Sequence, residues 1–308
     1  MPTGLSVVVA VHNEERTVGN LLTKLLSQSA GRDVSEIILV SSGSTDRTNA
    51  EIGSFRSPLV TLIEEDDRRG KVNALKKALP YISGGHVLLL DADVDIDDDL
   101  LKTCFRCILR NHVPCTARIV SVEQTGGRLF HSLANMTFKT WNALRERKDR
   151  NGEFLYPSGH GLLLSEGDFR DALGRMEDAT INDDALFAFL LFQRGVTFRY
   201  NRDLIVRVGF PQTFRDFFRQ KVRTRMGRRQ VYAHFFAEIE RQWRVELVAS
   251  LGFGNLFPVL LLWVLDSVSR GIASIRIKRC AQPHLWPAVH SSKNFLGTLL
   301  LCRLWTSA

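Results

Sequence analysis

The sequence predicts an α/β fold: a doubly wound, mostly parallel sheet with helices on both faces, followed by a C-terminal helical, membrane-associated segment. Three observations predict it. Short, nearly continuous apolar runs at 5–11, 36–40, 59–63 and 87–90 read as strands buried on both faces. Stretches with apolar residues at helical spacing alternate with them, as in βαβ units. The 308 residues fit two domains or one large α/β unit, and 44% hydrophobic with 24% charged content is ordinary for a globular core.

The elements follow in order. The first run ends in His12-Asn13-Glu14-Glu15, and Val18, Leu21, Leu22, Leu25 and Leu26 then mark the buried side of a helix. The second run gives way to Ser41-Ser42-Gly43-Ser44-Thr45-Asp46, a polar turn that opens the next helix. A third strand at 59–63 precedes a helix at 70–79, which Pro80 stops, and the fourth strand covers 87–90. Beyond Pro114 the pattern is less regular, as in a region that shapes a second substrate site. It offers a strand at 118–122, a helix at 130–144, the turn-rich loop 156–161, a helix at 185–192 and a strand at 196–200. The resulting division is 1–115 and 116–240 as two halves of one domain, with 241–308 as a helical region.

Charge narrows the partners. A net charge of +8 and a pI near 9.5 ask for an anionic partner. Arg and Lys crowd between Arg215 and Arg229 without any recognisable nucleic-acid module, so phosphate or membrane is expected and nucleic acid is not. Five cysteines without a secretory signal predict a reducing compartment. Cys104 and Cys107, near His112 and Cys115, resemble half a zinc site but lack a second spaced pair, and are read as buried thiols. Residues 247–265 are apolar apart from Ser250 and Asn255, and about nineteen residues at ~1.5 Å rise nearly cross a hydrocarbon core. Gly252, Gly254 and Pro258 interrupt the run, so a span, an in-plane helix and a buried core helix all stay open. Arg270, Arg276, Lys278 and Arg279 beside it suit an anionic leaflet, which predicts a peripheral or singly anchored protein at the cytoplasmic face of the membrane.

The chemistry begins at Asp91-Ala92-Asp93. Residues i and i+2 of an extended segment point the same way, so both carboxylates leave the strand end on one face. Two hard oxygen ligands there suit Mg²⁺ or Mn²⁺ with room for phosphate oxygens, in the crevice where open α/β sheets bind ligands. The competing reading is a solvated acidic loop, because Asp95, Asp97, Asp98 and Asp99 follow. Asp183 and Asp184 are adjacent carboxylates whose repulsion raises one pKa, as a general base needs, or helix-start charges favoured by the macrodipole.

The succession HNEE, SSGSTD, RGKVNAL, LLLDADVD, INDDALFAFLLFQRG and RQKVRTRMG resembles the inverting family 2 of nucleotide-sugar glycosyltransferases, which have the GT-A fold. The resemblance covers roughly 5–229. It implies a donor site of Val11, His12, Glu14, Ser42, Asp46, Lys71, Asp91, Ala92 and Asp93, with the metal (Mn²⁺ or Mg²⁺) on Asp93 and Asp91. It implies Asp184 as general base supported by Asp183, and Gln220, Arg223 and His160 on the acceptor or its phosphate. Lys71 would lie near the phosphates; its bland reading is an exposed lysine at a helix start.

Three departures stand out. His12 replaces a Tyr that covers the base, Ser41 and Ser42 replace the acids that read a pyrimidine, and Thr224 replaces the Trp of an acceptor channel. The last argues against a long polymer product. The implied activity is transfer from a nucleoside-diphosphate sugar, UDP-sugar favoured, to a lipid-linked or amphiphilic acceptor. A small soluble acceptor, or a non-catalytic scaffold with a decayed nucleotide site, are the alternatives. A sugar nucleotidyltransferase would need a Gly-rich basic loop after the first strand, and a dinucleotide oxidoreductase a GxGxxG; neither is present.

Overall fold

Apolar runs become strands here because helices cover both of their faces. The computed structural model describes residues 4–29, 33–122, 127–180, 182–250 and 256–276, with backbone alone at 228–237 and 273–276. The strands are β1 (Leu5–Val11), β2 (Val34–Ser42), β3 (Val60–Glu65), β4 (His86–Asp91), β5 (Val94–Ile96), β6 (Cys115–Ser121), β7 (Gly161–Ser165) and β8 (Arg199–Val208). The helices are α1 (Val18–Ser29), α2 (Thr48–Gly53), α3 (Lys71–Ala78), α4 (Leu100–Leu109), α5 (Gly127–Arg150), α6 (Glu166–Gly174), α7 (Asp183–Phe192), α8 (Phe214–Ala249) and α9 (Leu256–Arg276).

Side chains alternate across the sheet. Leu5, Val7, Val9 and Val11 of β1 pack with Leu21, Leu22 and Leu25 of α1 and Leu101 and Cys104 of α4. Val8 faces the other side, among Val72 and Leu75 of α3, Phe169 of α6 and Phe187 of α7. Two covered faces explain why β1 carries no regular polar alternation.

The sheet order is β3-β2-β1-β4-β7-β6-β8-β5. Its first half is the expected parallel, doubly wound sheet, since β1·β2, β2·β3 and β1·β4 are all parallel. The second half is mixed: β6·β8 is parallel, while β4·β7, β6·β7 and β5·β8 are antiparallel. The strand expected at 196–200 is the beginning of the longer β8. β5, β7 and α6 have no counterpart in the sequence reading. The division at 115/116 falls at the start of β6 and that at 240/241 inside α8, so sheet and helical layer run across both.

A third layer joins α5, α8 and α9. Leu133 and Ala134 of α5, Phe217, Trp243 and Leu247 of α8, and Val259, Leu262 and Leu265 of α9 form one buried cluster with Phe210. The described part of the apolar run 247–265 is divided between the end of α8 and the beginning of α9, and Leu247, Val259, Leu262 and Leu265 of it are core. Leu256, Phe257, Leu260, Trp263, Val264 and Val268 of α9 face outward. Among the described residues no helix is long and apolar enough to cross a membrane.

Charge fixes α9 to α8. Asp266, 5% exposed, is 2.6 Å from Arg225 Nη2 and 3.3 Å from Arg244 Nε, and Arg225 also donates to the Asp266 carbonyl and Ser269 Oγ. Removing one partner of a buried pair leaves the other charge uncompensated. Asp266→Ala is therefore expected to cost about 3 kcal/mol in urea unfolding, seen as a lower midpoint at unchanged slope.

Candidate active site

Strand register assembles the site. In β1·β4, Ala10 lies opposite Asp91; in β1·β2, Val11 lies opposite Ser41; in β4·β7, Leu90 lies opposite Gly161. The carboxyl ends of β1, β2 and β4 thus meet at the switch point of the parallel half. Because β7 runs antiparallel to β4, the loop that precedes it, Tyr156 to His160, arrives at the same end. Gly70 precedes α3 with φ of +99°, in the region open to glycine, and makes Lys71 the first residue of that helix.

Lys71 joins the two acidic stretches. Its Nζ is 2.7 Å from Asp91 Oδ1 and 3.0 Å from Asp183 Oδ2. Burial works against the ammonium, but Asp183 and Asp91 outweigh it and hold the Lys71 pKa above the ordinary lysine value. The other Asp91 oxygen, Oδ2, is 2.7 Å from His160 Nδ1. Burial would raise the Asp91 carboxyl; Lys71 and His160 overcome that and keep it well below the usual carboxylate range. His160 is depressed by burial, yet Asp91 and Asp93 lift it above the ordinary imidazole value. Asp91, Asp93 and His160 each offer one ligand atom, all within 4.8 Å of one another. Two carboxylate oxygens and one imidazole nitrogen suit a divalent ion such as Mn²⁺. His160, expected on the acceptor side, therefore stands with the DAD carboxylates.

Asp183 and Asp184 begin α7. Asp184 Oδ2 accepts from Gly159 N at 3.0 Å, and Oδ1 accepts from Ala185 N at 2.8 Å and from the Tyr156 hydroxyl at 3.5 Å. A Cβ on Gly159 would stand 3.2 Å from Asp184 Oδ2, so glycine permits this close approach. Burial first, then the charge of Asp183, pushes the Asp184 carboxyl above its ordinary value.

On the nucleotide side, Val11, His12, Glu14, Ser42 and Ala92 line the same cleft. His12 Nδ1 is 2.8 Å from the Ser42 carbonyl, which can only accept, so the ring proton sits on Nδ1. Asp46 does not line the cleft. Its carboxylate accepts from Thr48 N at 3.0 Å and Glu15 N at 3.3 Å, tying the turn before α2 to the loop after β1. Its pKa falls despite burial because of these bonds to Thr48 and Glu15.

Gln220 and Arg223 of α8 close the opposite wall of a cavity of about 430 Å³ that also holds Lys71, Asp93 and both α7 acids. Sequence reasoning missed other lining residues, among them Arg68, Thr137, Trp141, Tyr156, Asn182 and Trp243. A Trp pair in two separate basic helices carries no local signal. Gly159 carried one, as a glycine beside a polar loop residue, but its partner Asp184 lies far along the chain.

The model of Glycosyl transferase family 2 matches residues 6–171. Poly-beta-1,6-N-acetyl-D-glucosamine synthase of Staphylococcus epidermidis is 36% identical over 97 residues, 31% of this chain and 23% of that protein. The synthase of the same name from Staphylococcus aureus (strain COL) is 21% identical over 265 residues, 85% of this chain and 63% of that protein. The chain thus spans less than two thirds of the length of these relatives. Among solved structures, the mannosyltransferase PcManGT from Pyrobaculum calidifontis, in complex with GDP-Man and Mn²⁺, matches with a TM-score of 0.59. That match covers 99% of this chain and 88% of the other at 19% identity, and shows a shared GT-A-like fold. With more than half of its length matched by the family model, and the carboxylates of its motifs gathered in one cleft, this chain belongs to glycosyl transferase family 2.

Proposed function

We propose that this glycosyltransferase moves a sugar from a nucleoside-diphosphate sugar to an acceptor hydroxyl in one inverting displacement, with Asp184 as general base. The observation that carries this is Lys71, which ties Asp91 to Asp183 and so sets the DAD carboxylates and Asp184 around one cavity. In the step, the acceptor oxygen bonds to the anomeric carbon as the bond from that carbon to the diphosphate breaks. The hydroxyl proton passes to an Asp184 oxygen, and the diphosphate leaves with the electron pair. Gly159 N and Tyr156 hold that carboxylate in place.

Charge supports metal dependence. Asp91, Asp93, Asp183 and Asp184 gather around Lys71 at the centre of the cleft, so added positive charge there would favour an anionic diphosphate. Asp91, Asp93 and His160 would hold Mn²⁺ or Mg²⁺, which supplies Lewis acidity to the departing diphosphate. Arg68 and Arg223 add positive charge at the rim of the cleft. The relatives named for a poly-N-acetylglucosamine favour a UDP-sugar donor, while the bound GDP-Man of the structural match makes GDP-sugars the first competitors.

The acceptor is lipid-linked or amphiphilic, and the protein works at the cytoplasmic face of the membrane. The exposed apolar face of α9 supports this, with Leu256, Phe257, Leu260, Trp263, Val264 and Val268 in successive turns. Arg270 on α9, and Lys278 and Arg279 beyond it in sequence, suit an anionic leaflet.

Three measurements check this reading. In nucleotide-release assays over a donor panel, Asp184→Ala is expected to lose about 10²–10⁴-fold in kcat while Mn²⁺-dependent UDP binding by calorimetry persists. Asp93→Ala is expected to lose turnover and that Mn²⁺-dependent binding together; retained turnover in Asp184→Ala moves the base elsewhere. The second is pH dependence. Asp184 is a base only when deprotonated, and its pKa lies above the ordinary value, so kcat/KM should rise with pH through an acid limb displaced upward from the usual carboxylate range. Vesicles provide the third: Phe257→Asp with Trp263→Asp should abolish pelleting with phosphatidylglycerol vesicles, and unchanged pelleting removes α9 from the contact.

A further inference from the structure

α5 stands between two cavities. Thr137, Trp141 and Arg145 on one of its faces line the cleft of the α7 acids. Asn135, Lys139, Asn142 and Glu146, again at helical spacing, line a second cavity of about 490 Å³ against β6 and β8. Its floor is apolar, made by Ile119, Val120 and Phe138. β6 pairs with β7 only at Cys115 and Thr116, so beyond them that edge of the strand has no ladder. Asn142 takes the place of one: its amide donates to the Ile119 carbonyl at 2.6 Å and its oxygen accepts from Ile119 N at 3.3 Å. This bond pins α5 across the strand edge and gives the cavity a fixed wall.

Charge in this second cavity is uncompensated. Arg118, Lys139 and Arg202 line it with a single carboxylate, Glu146. Glu146 is taken by Arg202. The other arginines of β8 also have acids: Arg199 Nε is 2.7 Å from Asp149, and Arg207 Nη2 is 2.7 Å from Asp97. Arg118 and Lys139 differ, for neither side chain makes a hydrogen bond or ion pair among the described residues. Between the strands lies Tyr200, half-buried in the same cavity. Burial pushes its hydroxyl up against the pull of Arg145, Arg118 and Arg202, which places these guanidiniums around the phenol. Like charges gathered in one concavity over an apolar floor make a field that an anion relieves.

We infer that this cavity is a second ligand site, separate from the cleft, and that it takes a phosphate-bearing molecule whose anion bridges Arg118 and Lys139 beside Tyr200. Two unpaired positive charges match the double charge of a phosphomonoester, whereas one carboxylate would leave a cation over. The guanidinium fork and the ammonium both suit phosphate oxygens. Ile119, Val120 and Phe138 then offer apolar surface to the organic group that carries the phosphate. A soluble phosphate ester and the headgroup of a phosphatidic lipid share this chemistry.

The test titrates the whole chain by calorimetry with glucose 1-phosphate and with dibutyryl phosphatidic acid, a soluble lipid headgroup, in EDTA so that no metal carries phosphate into the cleft. At least one of the two should bind, with an affinity that falls as salt rises. Arg118→Ala and Lys139→Ala should each weaken it about tenfold or more, as for one lost charged hydrogen bond. Arg118→Lys, which keeps the charge and loses the fork, should weaken it less than Arg118→Ala. Both residues are exposed, so the variants should melt close to wild type, and Mn²⁺-dependent UDP affinity should stay within about twofold. Tighter binding of glucose 1-phosphate supports a soluble ester as the occupant, and tighter binding of the phosphatidic acid supports a lipid headgroup. Failure of the wild-type protein to bind either probe overturns the inference. So does an affinity unchanged in both alanine variants, and so does a parallel loss of UDP binding, which would put the phosphate in the cleft.

Discussion

The structure of this site depends on one buried ammonium held between two carboxylates. Asp91 ends β4 and Asp183 begins α7, and without a cation between them two desolvated negative charges would repel. Lys71 can fill that place because Gly70, in a backbone conformation that other residues resist, turns the chain into α3 just there. The arrangement also divides labour among the acids. Asp91, gripped by Lys71 and His160, stays ionised, whereas Asp184, buried beside Asp183, binds its proton more readily. On the proposed mechanism, the carboxylate that carries constant charge and the one that exchanges a proton thus stand in one cleft, their pKa values driven apart by their neighbours.

The departures at the nucleotide end have a structural logic. Ser41 Oγ, where acids are found in the family pattern, bonds Ser44 Oγ at 2.8 Å and Asn49 Oδ1 at 2.5 Å, and Ser42 Oγ accepts from Arg69 N at 3.3 Å. These hydroxyls stitch the end of β2 to the start of α2 and to the Arg68–Gly70 loop. Gly43 lets that loop come close: a Cβ there would lie 2.5 Å from Arg68 N. Polarity lost with the acids is partly returned by His12, whose Nδ1 donates to the Ser42 carbonyl.

What the sequence displayed and what it hid follow from the range of the interactions. β1, β2 and β4 were legible because burial on both faces writes itself as uninterrupted apolar residues, and the DAD spacing needs only the two-residue period of a strand. β7 was illegible as a strand: Gly161 to Ser165 adjoins a turn-rich loop, and its antiparallel place beside β4 is a tertiary fact. The role of His160 disappeared with it. Residues 247–265 left a span, an in-plane helix and a core helix all open for the opposite reason. Their apolarity serves two faces of a broken helical pair, with Leu262 and Leu265 facing the core and Leu260, Trp263 and Val264 facing out. Asp46 was selected by motif position, although an acid two residues before Thr48 has an equally good reason to exist as a cap.

The family match ends at residue 171, before Asp183, Gln220, Trp243 and the whole of α8 and α9. Phe217 and Trp243 of α8 share one buried cluster with Leu262 and Leu265 of α9. The buried Arg225–Asp266 pair holds α9 against α8. On the proposed reading, an amphiphilic acceptor resting on the outward apolar face of α9 would enter the cleft along this helical layer, so a substitution that loosens α9 from α8 should disturb membrane contact and acceptor transfer together.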